Sequence, residues 1–544
     1  MSFGLGLSLP IRQILGGGGF SPASLFAAGE IGVWYDPSDF TTLYADTAGT
    51  TAITAVEQPV GLMLDKSQGL TVGVELVAAG WTTDAGWAQN DQTFTATAVA
   101  QNAEVEKSGL VSAGRAYQVQ ITWSGLSLGS SWRFYLFQFT TALDISRLSD
   151  GESGSRTYRL IAPSSGSVTA LRSLAASASS GTFTLSIKEL PGNHAVAANG
   201  STARPVLRNR YNLVTYSEQL DQGIWTKQSG TSVTANQAIA PDGTLTADLV
   251  TSNGTSGIFQ AGIVQIPDTT NVKSVYLKGV SGGESVLLKD PSLTTGTVVC
   301  NLTTEWQRFT LTEATSGVST GIWIDDIPSG GIYIWGAQLT TAADDAAING
   351  EYQRIEAAPT VGSAPTYDDD VTKFPPYLYA TTDDLMSTNS IDFSVGDEMS
   401  VFAGVTKESD AAAALLFDIG YNTNAQFTVF TAVSGSNYYL RNAGTTQVNV
   451  TASTFTAPCT NVLSFLGDIS APLTKIRVDG TDSATSASSL GTGNYRNVAL
   501  NILGGSGLYF TGRLYSLIVR NKLTTGTDLT NTESYVAQKT GVTL

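Results

Sequence analysis

Residues 117–123 read Tyr-Gln-Val-Gln-Ile-Thr-Trp, and residues 182–187 read Thr-Phe-Thr-Leu-Ser-Ile. Polar and apolar side chains alternate in both stretches, and most of the apolar ones are β-branched or aromatic. A period of two places every second side chain on one face, so the pattern predicts half-buried strands. Similar short runs, separated by Gly, Ser, Thr, Asn and Asp, continue towards the C-terminus, and only residues 528–539 read as a helix. The sequence therefore predicts an all-β protein.

Two stretches look like copies of one unit. The first begins near Val74 and the second near Asn212, and each contains a tryptophan followed by apolar strands in the same order. The matched positions are Trp87 with Trp225, Tyr158 with Phe309 and Leu190 with Leu339. An internal repeat indicates a duplicated structural unit. Because the two tryptophans recur, we predict that they anchor a core or a domain contact rather than a ligand.

A chain of 544 residues is too long for one hydrophobic core, and its length suggests about three or four domains. Small and polar residues between the repeats, and an acidic, Pro-containing stretch after the second repeat, favour linkers. The expected division is a docking peptide with a Gly-rich tether (1–22), a leader segment (23–73), a first β-sandwich repeat (74–192), a linker (193–210), a second repeat (211–356), a linker (357–376) and a C-terminal sandwich (377–544).

The charge of the chain excludes one class of partner. With 29 Lys and Arg against 46 Asp and Glu, the formal net charge is −17. Such a surface repels phosphate backbones, and no Lys/Arg cluster reverses it locally, so nucleic acid is not an expected partner. An acidic surface also serves solubility alone and identifies no ligand. No apolar run reaches the length of a membrane span, and the N-terminus lacks the features of a signal peptide.

The side chains that most enzyme mechanisms need are scarce. The single histidine, His194, falls in the predicted linker and is expected to be a solvated loop residue. The two cysteines, Cys300 and Cys459, fall in different predicted units and are expected to be free thiols. A Ser/His/Asp triad, a disulfide framework and a His or Cys zinc site are therefore not expected.

Two carboxylates could still hydrolyse a glycoside without histidine. The pairs Asp325–Asp326 and Asp383–Asp384 are adjacent in sequence, and neighbours on a strand face opposite sides, so both pairs suit turns better than catalysis. The acidic run Asp368–Asp370 could hold calcium, and a solvated linker is the alternative. We expect no enzymatic activity, no cofactor and no assigned metal site.

The first 22 residues combine an apolar stretch with a four-glycine run. An apolar peptide on a flexible tether cannot bury its side chains alone, so we expect another protein to cover them. A frayed terminus that packs on its own domain is the alternative. The residues predicted to dock are Phe3, Leu5, Leu7, Leu9, Ile11 and Leu15.

Three parts of the chain resemble known protein families. Residues 212–227, followed by Ala-Pro-Asp-Gly-Thr at 240–244, resemble a carbohydrate-binding-module-like jelly roll found in phage tail and other virion proteins. Residues 393–405, 476–481 and 510–519 resemble a concanavalin A-like or laminin-G-like sandwich. Residues 32–39 with 58–66 resemble the opening of phage structural proteins. These resemblances imply several antiparallel jelly-roll sandwiches in tandem, which could serve glycan binding, protein contact or plain spacing.

A sugar-binding surface needs an aromatic face for CH groups and planar polar groups for hydroxyls. The last unit contains such a mixture around two adjacent tyrosines, one of which must face outward if they lie on a strand. The alternative is that a partner chain covers this face. The predicted carbohydrate-binding residues are Tyr438, Tyr439, Arg441, Asn442 and Asn424, with Asn422 in the same loop.

Taken together, these features and resemblances imply a bacteriophage fibre, spike or tail protein on the virion surface. Its partners would be other virion proteins, contacted through the N-terminus, and a host surface polysaccharide or receptor, with no membrane insertion. A homotrimer is expected from the resemblance. The alternative is a structural capsid or tail decoration protein without glycan affinity, and the third possibility is a polysaccharide depolymerase.

Overall fold

The computed structural model describes residues 20–113, 115–127, 132–138, 143–148, 153–162, 168–175, 178–198, 203–264, 270–291, 296–314, 319–381, 383–421, 423–433 and 435–544. Within these ranges the chain forms six β-sheets and two α-helices, and the strand pairs are antiparallel apart from one bridge, Leu415 with Tyr509. The prediction of an all-β protein with several antiparallel sandwiches is confirmed. The predicted docking residues, Phe3, Leu5, Leu7, Leu9, Ile11 and Leu15, and also Asn422, lie outside the described residues.

The elements follow in chain order. Residues 20–73 contain 3₁₀ turns at Pro22–Phe26 and Phe40–Thr42 and the strands β1 (Gly32–Tyr35), β2 (Leu43–Tyr44), β3 (Gln58–Pro59) and β4 (Leu62–Met63). The first repeat contains β5 (Thr82–Thr83), β6 (Trp87–Asn90), β7 (Thr93–Val99), β8 (Glu104–Ser108), β9 (Ala116–Ser124), β10 (Trp132–Gln138), β11 (Leu143–Leu148), β12 (Gly154–Ile161), β13 (Val168–Ser173) and β14 (Ser179–Leu190). Two short strands follow, β15 (Ala195–Ala197) and β16 (Val206–Arg208).

The second repeat contains β17 (Thr226–Lys227), β18 (Ser232–Ala238), β19 (Ala247–Thr251), β20 (Ser256–Val264), β21 (Thr270–Gly279), β22 (Ser285–Lys289), β23 (Thr297–Asn301), β24 (Gln307–Ala314), β25 (Ser319–Ile327), β26 (Ile332–Thr341) and α1 (Ala342–Ala347). The rest of the chain contains β27 (Tyr377–Ala380), β28 (Met386–Asp392), a 3₁₀ turn at Phe393–Val395, β29 (Glu398–Lys407), β30 (Ala414–Ile419), β31 (Phe427–Ala432), β32 (Asn437–Ala443), β33 (Gln447–Ser453), β34 (Cys459–Asp468), β35 (Leu473–Val478), β36 (Thr481–Ser486), β37 (Asn497–Ile502), β38 (Gly504–Gly505), β39 (Leu508–Tyr509), β40 (Gly512–Arg520) and α2 (Gly526–Thr540).

The N-terminal segment belongs to the same sandwich as the C-terminal residues. One sheet has the order β3-β16-β27-β40-β29-β34-β35-β36, and β1 pairs with β40 in the register Gly32 with Arg520 to Tyr35 with Leu517. The facing sheet has the order β2-β4-β15-β28-β37-β30-β31-β32-β33, with β38 and β39 beside β30. We call the domain formed by β1–β4, β15, β16 and β27–β40 the composite sandwich. Side chains from all these parts, including Val33, Leu207 and Phe465, share one core.

Four segments of the predicted division are therefore corrected. Residues 23–73 are not a separate leader, because they supply strands to both sheets of the composite sandwich. Residues 193–210 are not a linker, because they place β15 in one sheet and β16 in the other. In the predicted linker 357–376, Tyr367 is buried in the core and donates a hydrogen bond to Glu57 Oε1 over 2.8 Å. The predicted tether also ends earlier than residue 22, since Pro22 is buried in the first 3₁₀ turn. Strands of two or three residues give too little alternation to be recognised in a sequence.

The two repeats share one topology. The sheets of the first repeat have the orders β11-β10-β13-β8-β5 and β12-β9-β14-β7-β6, and those of the second have the orders β23-β22-β25-β20-β17 and β24-β21-β26-β19-β18. Each strand of the second repeat thus corresponds to the strand twelve places earlier, which confirms the internal repeat. The topology also corrects one matched pair. Trp225 directly precedes β17, so its counterpart is Trp81, which directly precedes β5, and not Trp87. All three tryptophans are buried in sandwich cores, which agrees with the anchoring role predicted for Trp87 and Trp225.

Each repeat is a segment inserted into the composite sandwich, and the first and last residues of the segment lie side by side. In the first repeat the backbone N–H of Gly73 donates to the carbonyl of Glu189 over 2.8 Å. In the second repeat the side-chain amide of Asn212 donates to the backbone carbonyl of Gln353 over 2.9 Å. The buried side chains of each repeat form a separate core. Closely spaced ends and an independent core are the usual features of an inserted domain.

The second repeat is held on the composite sandwich by a buried ion pair. Arg513 on β40 donates from Nη1 to Asp344 Oδ1 over 2.8 Å, and both side chains are almost fully buried. The guanidinium also lies 4.7 Å from the ring centroid of Tyr377. Removing one partner of a buried ion pair leaves an uncompensated charge and costs about 3–5 kcal/mol. This contact therefore stabilises the attachment of the second repeat to the composite sandwich.

A buried carboxylate ties the first segment to the chain that returns from the first repeat. Asp65 accepts hydrogen bonds from the backbone N–H groups of Trp34, Ser67 and Asn193 and from the Ser67 hydroxyl, each over 2.8 Å. Its own N–H donates to Nδ1 of His194 over 2.9 Å. His194 is only 2% exposed, so the prediction of a solvated loop histidine is wrong. Burial lowers the pKa of His194 to about 4 and raises the pKa of Asp65 to about 6.

A chain that begins at residue 74 should not form the composite sandwich. It lacks five fully buried side chains, Val33, Tyr35, Leu43, Val60 and Met63. At about 2 kcal/mol each these amount to roughly 10 kcal/mol, which is comparable to the whole stability of a domain. The matched control replaces residues 74–189 with a short Gly/Ser loop and should keep the composite sandwich folded. Limited proteolysis and thermal unfolding distinguish the two, and a truncated chain that protects residues 377–544 would contradict this architecture.

Replacing His194 with a side chain that does not titrate should change how stability depends on pH. The folded-state pKa of His194, about 4, lies below its ordinary value of 6.5, so the stabilising contribution is complete above pH 6.5 and is lost as the pH falls. The stability advantage of the wild type over His194→Gln should shrink by at most about 1.4 kcal/mol per pH unit between these values. The raised pKa of Asp65 acts in the opposite direction and is present in both proteins. Urea denaturation at several pH values measures the difference, and a difference independent of pH would refute the prediction.

Candidate functional site

The outer face of the eleven-stranded sheet carries a row of polar side chains across six adjacent strands. The alternate residues of these strands, such as Phe417, Val429 and Leu440, point into the core. The register places the polar residues side by side in the order Ser387, Asn501, Asp418, Thr428, Arg441 and Asn449. Strands lie about 4.8 Å apart, so this polar row is about 24 Å long.

Two aromatic rings contact Arg441 near one end of the polar row, and a third ring packs against one of them. The centre of its guanidinium lies 5.2 Å from the ring centroid of Tyr421 and 5.3 Å from that of Phe430. Tyr439 packs edge-on against Phe430, with centroids 5.5 Å apart. Tyr421, Tyr439 and Arg441 remain partly exposed, while Phe430 forms the buried floor. We call this group, together with the polar row, the Arg441 face.

The middle of the polar row contains a carboxyl group with little access to solvent. Asp418 is 4% exposed, and the Thr428 hydroxyl donates to its Oδ1 over 2.9 Å. Burial raises the pKa of Asp418, against hydrogen bonds from Thr428 and Asn501 that lower it. A carboxyl group next to hydroxyl and amide groups can accept or, when protonated, donate hydrogen bonds. Thr428 is fully buried as well, so this pair links β30 to β31 and offers little surface to a ligand.

The structure brings together only part of the predicted carbohydrate site. Tyr439 and Arg441 lie on the outer face, as the prediction requires, and Asn424 is exposed in the loop between β30 and β31. Tyr438 is fully buried and donates to Asn461 Oδ1 over 2.8 Å. Asn442 is also fully buried and accepts a hydrogen bond from the Tyr495 hydroxyl over 2.9 Å. The prediction that Tyr438 and Asn442 contact a surface ligand is therefore wrong, and both side chains have a structural role.

The sequence contained signals that point to the residues it missed. Leu440 lies two residues from Tyr438, so the two share a face, and an apolar Leu indicates that this face is the buried one. Asp418 is the one polar residue in the apolar run Leu415–Ile419. Its side chain therefore belongs on the face of the strand opposite to that of Phe417 and Ile419. Tyr421 and Phe430 come near Arg441 only through the pairing of β30, β31 and β32. No local pattern predicts that proximity.

A second candidate surface lies where the first repeat contacts the composite sandwich. A groove of about 620 Å³ is lined by Tyr44, Thr50, Ala52 and the β12 residues from Ser155 to Arg159. The guanidinium of Arg159 lies 4.8 Å from the ring centroid of Tyr44, and its backbone N–H donates to the carbonyl of Ala48 over 2.8 Å. A cavity of this size between two domains, with an aromatic ring and hydroxyl groups, is a common form of small-ligand site.

A carboxyl group in the second repeat also has a perturbed pKa, but it is enclosed. Burial raises the pKa of Glu218 to about 7, and the Tyr352 hydroxyl donates to its Oε1 over 3.1 Å. Tyr352 packs against Trp335, with ring centroids 4.7 Å apart, and Trp335 is only 4% exposed. This cluster packs the loop between β18 and β19 against the sheet and offers little surface to a ligand.

The described residues include no group of three or more His, Cys, Asp or Glu that could hold a metal ion. Asp370, in the acidic run considered for calcium, accepts hydrogen bonds from the N–H and hydroxyl of Thr372 instead. Asp384 accepts a hydrogen bond from the N–H of Thr381, and Asp325 pairs with Lys289. In the part of the chain that the structure covers, neither helix has the length and apolar character of a membrane span.

A scan of protein-family models and a search of curated proteins both find no match. Three solved structures illustrate the likenesses that a structural comparison finds. The N-terminal CBM22 tandem of Paenibacillus barcinonensis Xyn10C is 11% identical and covers 50% of this chain and 99% of its own, with a TM-score of 0.22. A putative carbohydrate-binding protein from Bacteroides ovatus is 11% identical and covers 56% of this chain and 80% of its own, with a TM-score of 0.21. Trypanosoma rangeli sialidase is 10% identical and covers 90% of this chain and 89% of its own, with a TM-score of 0.22. At these TM-scores the likenesses carry no argument, and the fold rests on the sheet topology described above.

Proposed function

We propose that this chain is a virion surface protein of fibre, spike or tail type that binds a host surface glycan through the Arg441 face. The observation that carries the proposal is the group formed by the partly exposed Tyr421, Tyr439 and Arg441 on an outer sheet face. Aromatic faces contact the CH groups of sugars, and guanidinium, amide and carboxyl groups match their hydroxyls. The polar row spans about 24 Å, and its accessible members lie towards its two ends, because Thr428 is fully buried and Asp418 is 4% exposed.

The charge of the chain narrows the class of glycan. A formal net charge of −17 disfavours the approach of strongly acidic polysaccharides. Arg441 is one cation on a face that also carries Asp418. The proposed ligand is therefore a neutral or weakly acidic polysaccharide.

Three further parts of the proposal come from the sequence and its resemblances. The apolar N-terminal peptide docks on the particle, the protein assembles as a homotrimer, and it binds glycan without cleaving it. A homotrimer would present three copies of the Arg441 face, which strengthens binding to a repetitive polymer without any new contact. Release of new reducing ends from a bound polysaccharide would favour a depolymerase instead.

Arg441→Ala and Tyr439→Ala should each weaken binding of the full-length protein to the host polysaccharide by about tenfold or more, because each removes a contact of about 1.4 kcal/mol. The control is Arg354→Ala, which removes an equally charged side chain that is about half exposed on the second repeat. Glycan arrays and calorimetry provide the measurement, with the melting temperature as a check on folding. Folded wild-type protein that binds no host polysaccharide would favour the decoration role, and variants that bind like the wild type would remove the Arg441 face from the proposal.

A chain that begins at Phe20 should fold as well as the full-length protein but fail to join virus particles. Ser21 caps the first 3₁₀ turn and Pro22 is buried within it, so the deletion should end at residue 19. Its melting temperature is expected to be unchanged, because the deletion removes nothing from the described cores. Incorporation is measured by complementing particles that lack the protein. Normal incorporation of the shortened chain would show that the N-terminal peptide is not the anchor.

A further inference from the structure

Three charged side chains converge at one end of the core of the second repeat. Nζ of Lys273 lies 3.0 Å from Asp290 Oδ2 and in direct contact with Glu313 Oε1. The side chains of Lys273 and Asp290 are fully buried, and that of Glu313 is 7% exposed. Lysine and carboxylate side chains are almost never fully buried unless they are paired. This cluster, which we call the Lys273 triad, is therefore a built feature of the fold.

The strand registers explain why all three side chains point inward. Lys273 is two residues from Val275 on β21, and Glu313 is two residues from Leu311 on β24, so both continue stripes of core residues. Asp290 is two residues from Leu288 and follows β22 in the opposite sheet. The triad thus joins the two sheets of the sandwich across the core.

The carboxyl group of Asp290 is held in place by its neighbours. The Thr320 hydroxyl donates to Oδ2 of Asp290, and so does the backbone N–H of Gly321 over 3.4 Å. Oδ2 is the oxygen that lies 3.0 Å from the lysine nitrogen. Donors on a carboxyl oxygen make its carbon more electrophilic and stabilise the charge that develops when a nucleophile attacks.

Glu313 is positioned to move protons between the other two groups. Burial raises the pKa of Glu313, against the lysine contact that lowers it, and the negative charge of Asp290 raises it further. Its second oxygen, Oε2, is buried and has no hydrogen-bond partner among the described residues. A Cβ at position 296, which is a glycine, would lie 2.3 Å from that oxygen, so the chain leaves just enough room for the carboxyl group. Two buried carboxylates beside one ammonium cannot both remain charged at low cost, which favours a shared proton.

We propose that the Lys273 triad forms a spontaneous intramolecular amide bond between Nζ of Lys273 and Cγ of Asp290. The nitrogen attacks the carboxyl carbon, one Cγ–O bond breaks, and the ammonium and carboxylate become an amide and one water molecule. Two protons leave the lysine nitrogen and depart with the carboxyl oxygen as water. Glu313 accepts a proton from the nitrogen and delivers it to the leaving oxygen. No oxidant, cofactor or other reactant is needed.

The bond would serve as a covalent link between the two sheets. It joins β21 of one sheet to the residue after β22 of the other, so the sandwich could not open at this end without breaking an amide. The chain has only two cysteines, both free, so disulfides provide no such link. A cross-link of this kind would resist reduction and mechanical load.

Mass spectrometry of the full-length protein tests the proposal directly. The intact wild type should be lighter than its sequence mass by one water molecule. Trypsin should no longer cleave after residue 273, and a branched peptide joining Lys273 to Asp290 should appear. The variants Lys273→Arg and Glu313→Gln should both have the full sequence mass, whereas Lys278→Arg, on the outer face of the same strand, should keep the deficit.

Three outcomes would overturn the proposal. The first is a folded wild type with its full sequence mass and normal cleavage after Lys273, which would make the triad an ordinary buried ion pair. The second is a mass deficit that persists in Lys273→Arg, which would place the loss of water elsewhere in the chain. The third is a branched peptide that joins Lys273 to Glu313 rather than to Asp290. The wild-type measurement decides the matter even if a variant fails to fold.

Discussion

The pairing of β1 with β40 is the constraint on which the rest of the structure depends. It brings residues 32–35 into register with residues 517–520, nearly the full length of the chain away. Gly32 is required for this approach, because a Cβ at that position would lie 2.0 Å from the carbonyl oxygen of Val519. Trp34 then packs beneath α2, with its ring centroid 6.0 Å from that of Tyr535. Segments near the start and the end of the described chain are therefore closed into one domain, and each repeat between them must leave this domain and return to it.

The inserted repeats follow from that closure. Each leaves and rejoins the composite sandwich at neighbouring positions, and each brings its own core. The Arg513–Asp344 ion pair and the contact of Arg159 with Tyr44 then hold the repeats on the composite sandwich. The Arg441 face lies on the sheet of β30–β33, which neither repeat interrupts in sequence. The proposed binding surface thus depends on the composite sandwich alone, while the repeats are free to serve as spacers or as further binding units.

The sequence predicted what local periodicity and duplication can reveal. The long alternating strands, the all-β class and the repeated unit followed from side-chain alternation and from matched positions. The composite sandwich did not, because its N-terminal strands have two to four residues and, apart from the pairing of β2 with β4, acquire their partners from segments more than 100 residues away. His194 shows the same limit. It follows Pro191 and Gly192, which are typical of an exposed turn, and only the fold brings Asp65, 129 residues earlier, beside it. Tyr438 and Asn442 show a different limit. The strand was predicted correctly, but Leu440, which indicates that the face it shares with Tyr438 and Asn442 is buried, was not used to assign that face.

Hydrogen exchange measures most directly whether the two chain ends form one domain. The amides of residues 33–35 and of residues 517–519 lie in the same sheet, so they should exchange only when the whole composite sandwich unfolds. The predicted result is the same large protection for both segments, lost together as denaturant is added. Rapid exchange over residues 33–35 while residues 517–519 stay protected would contradict the composite sandwich and leave β1 as a loosely attached leader.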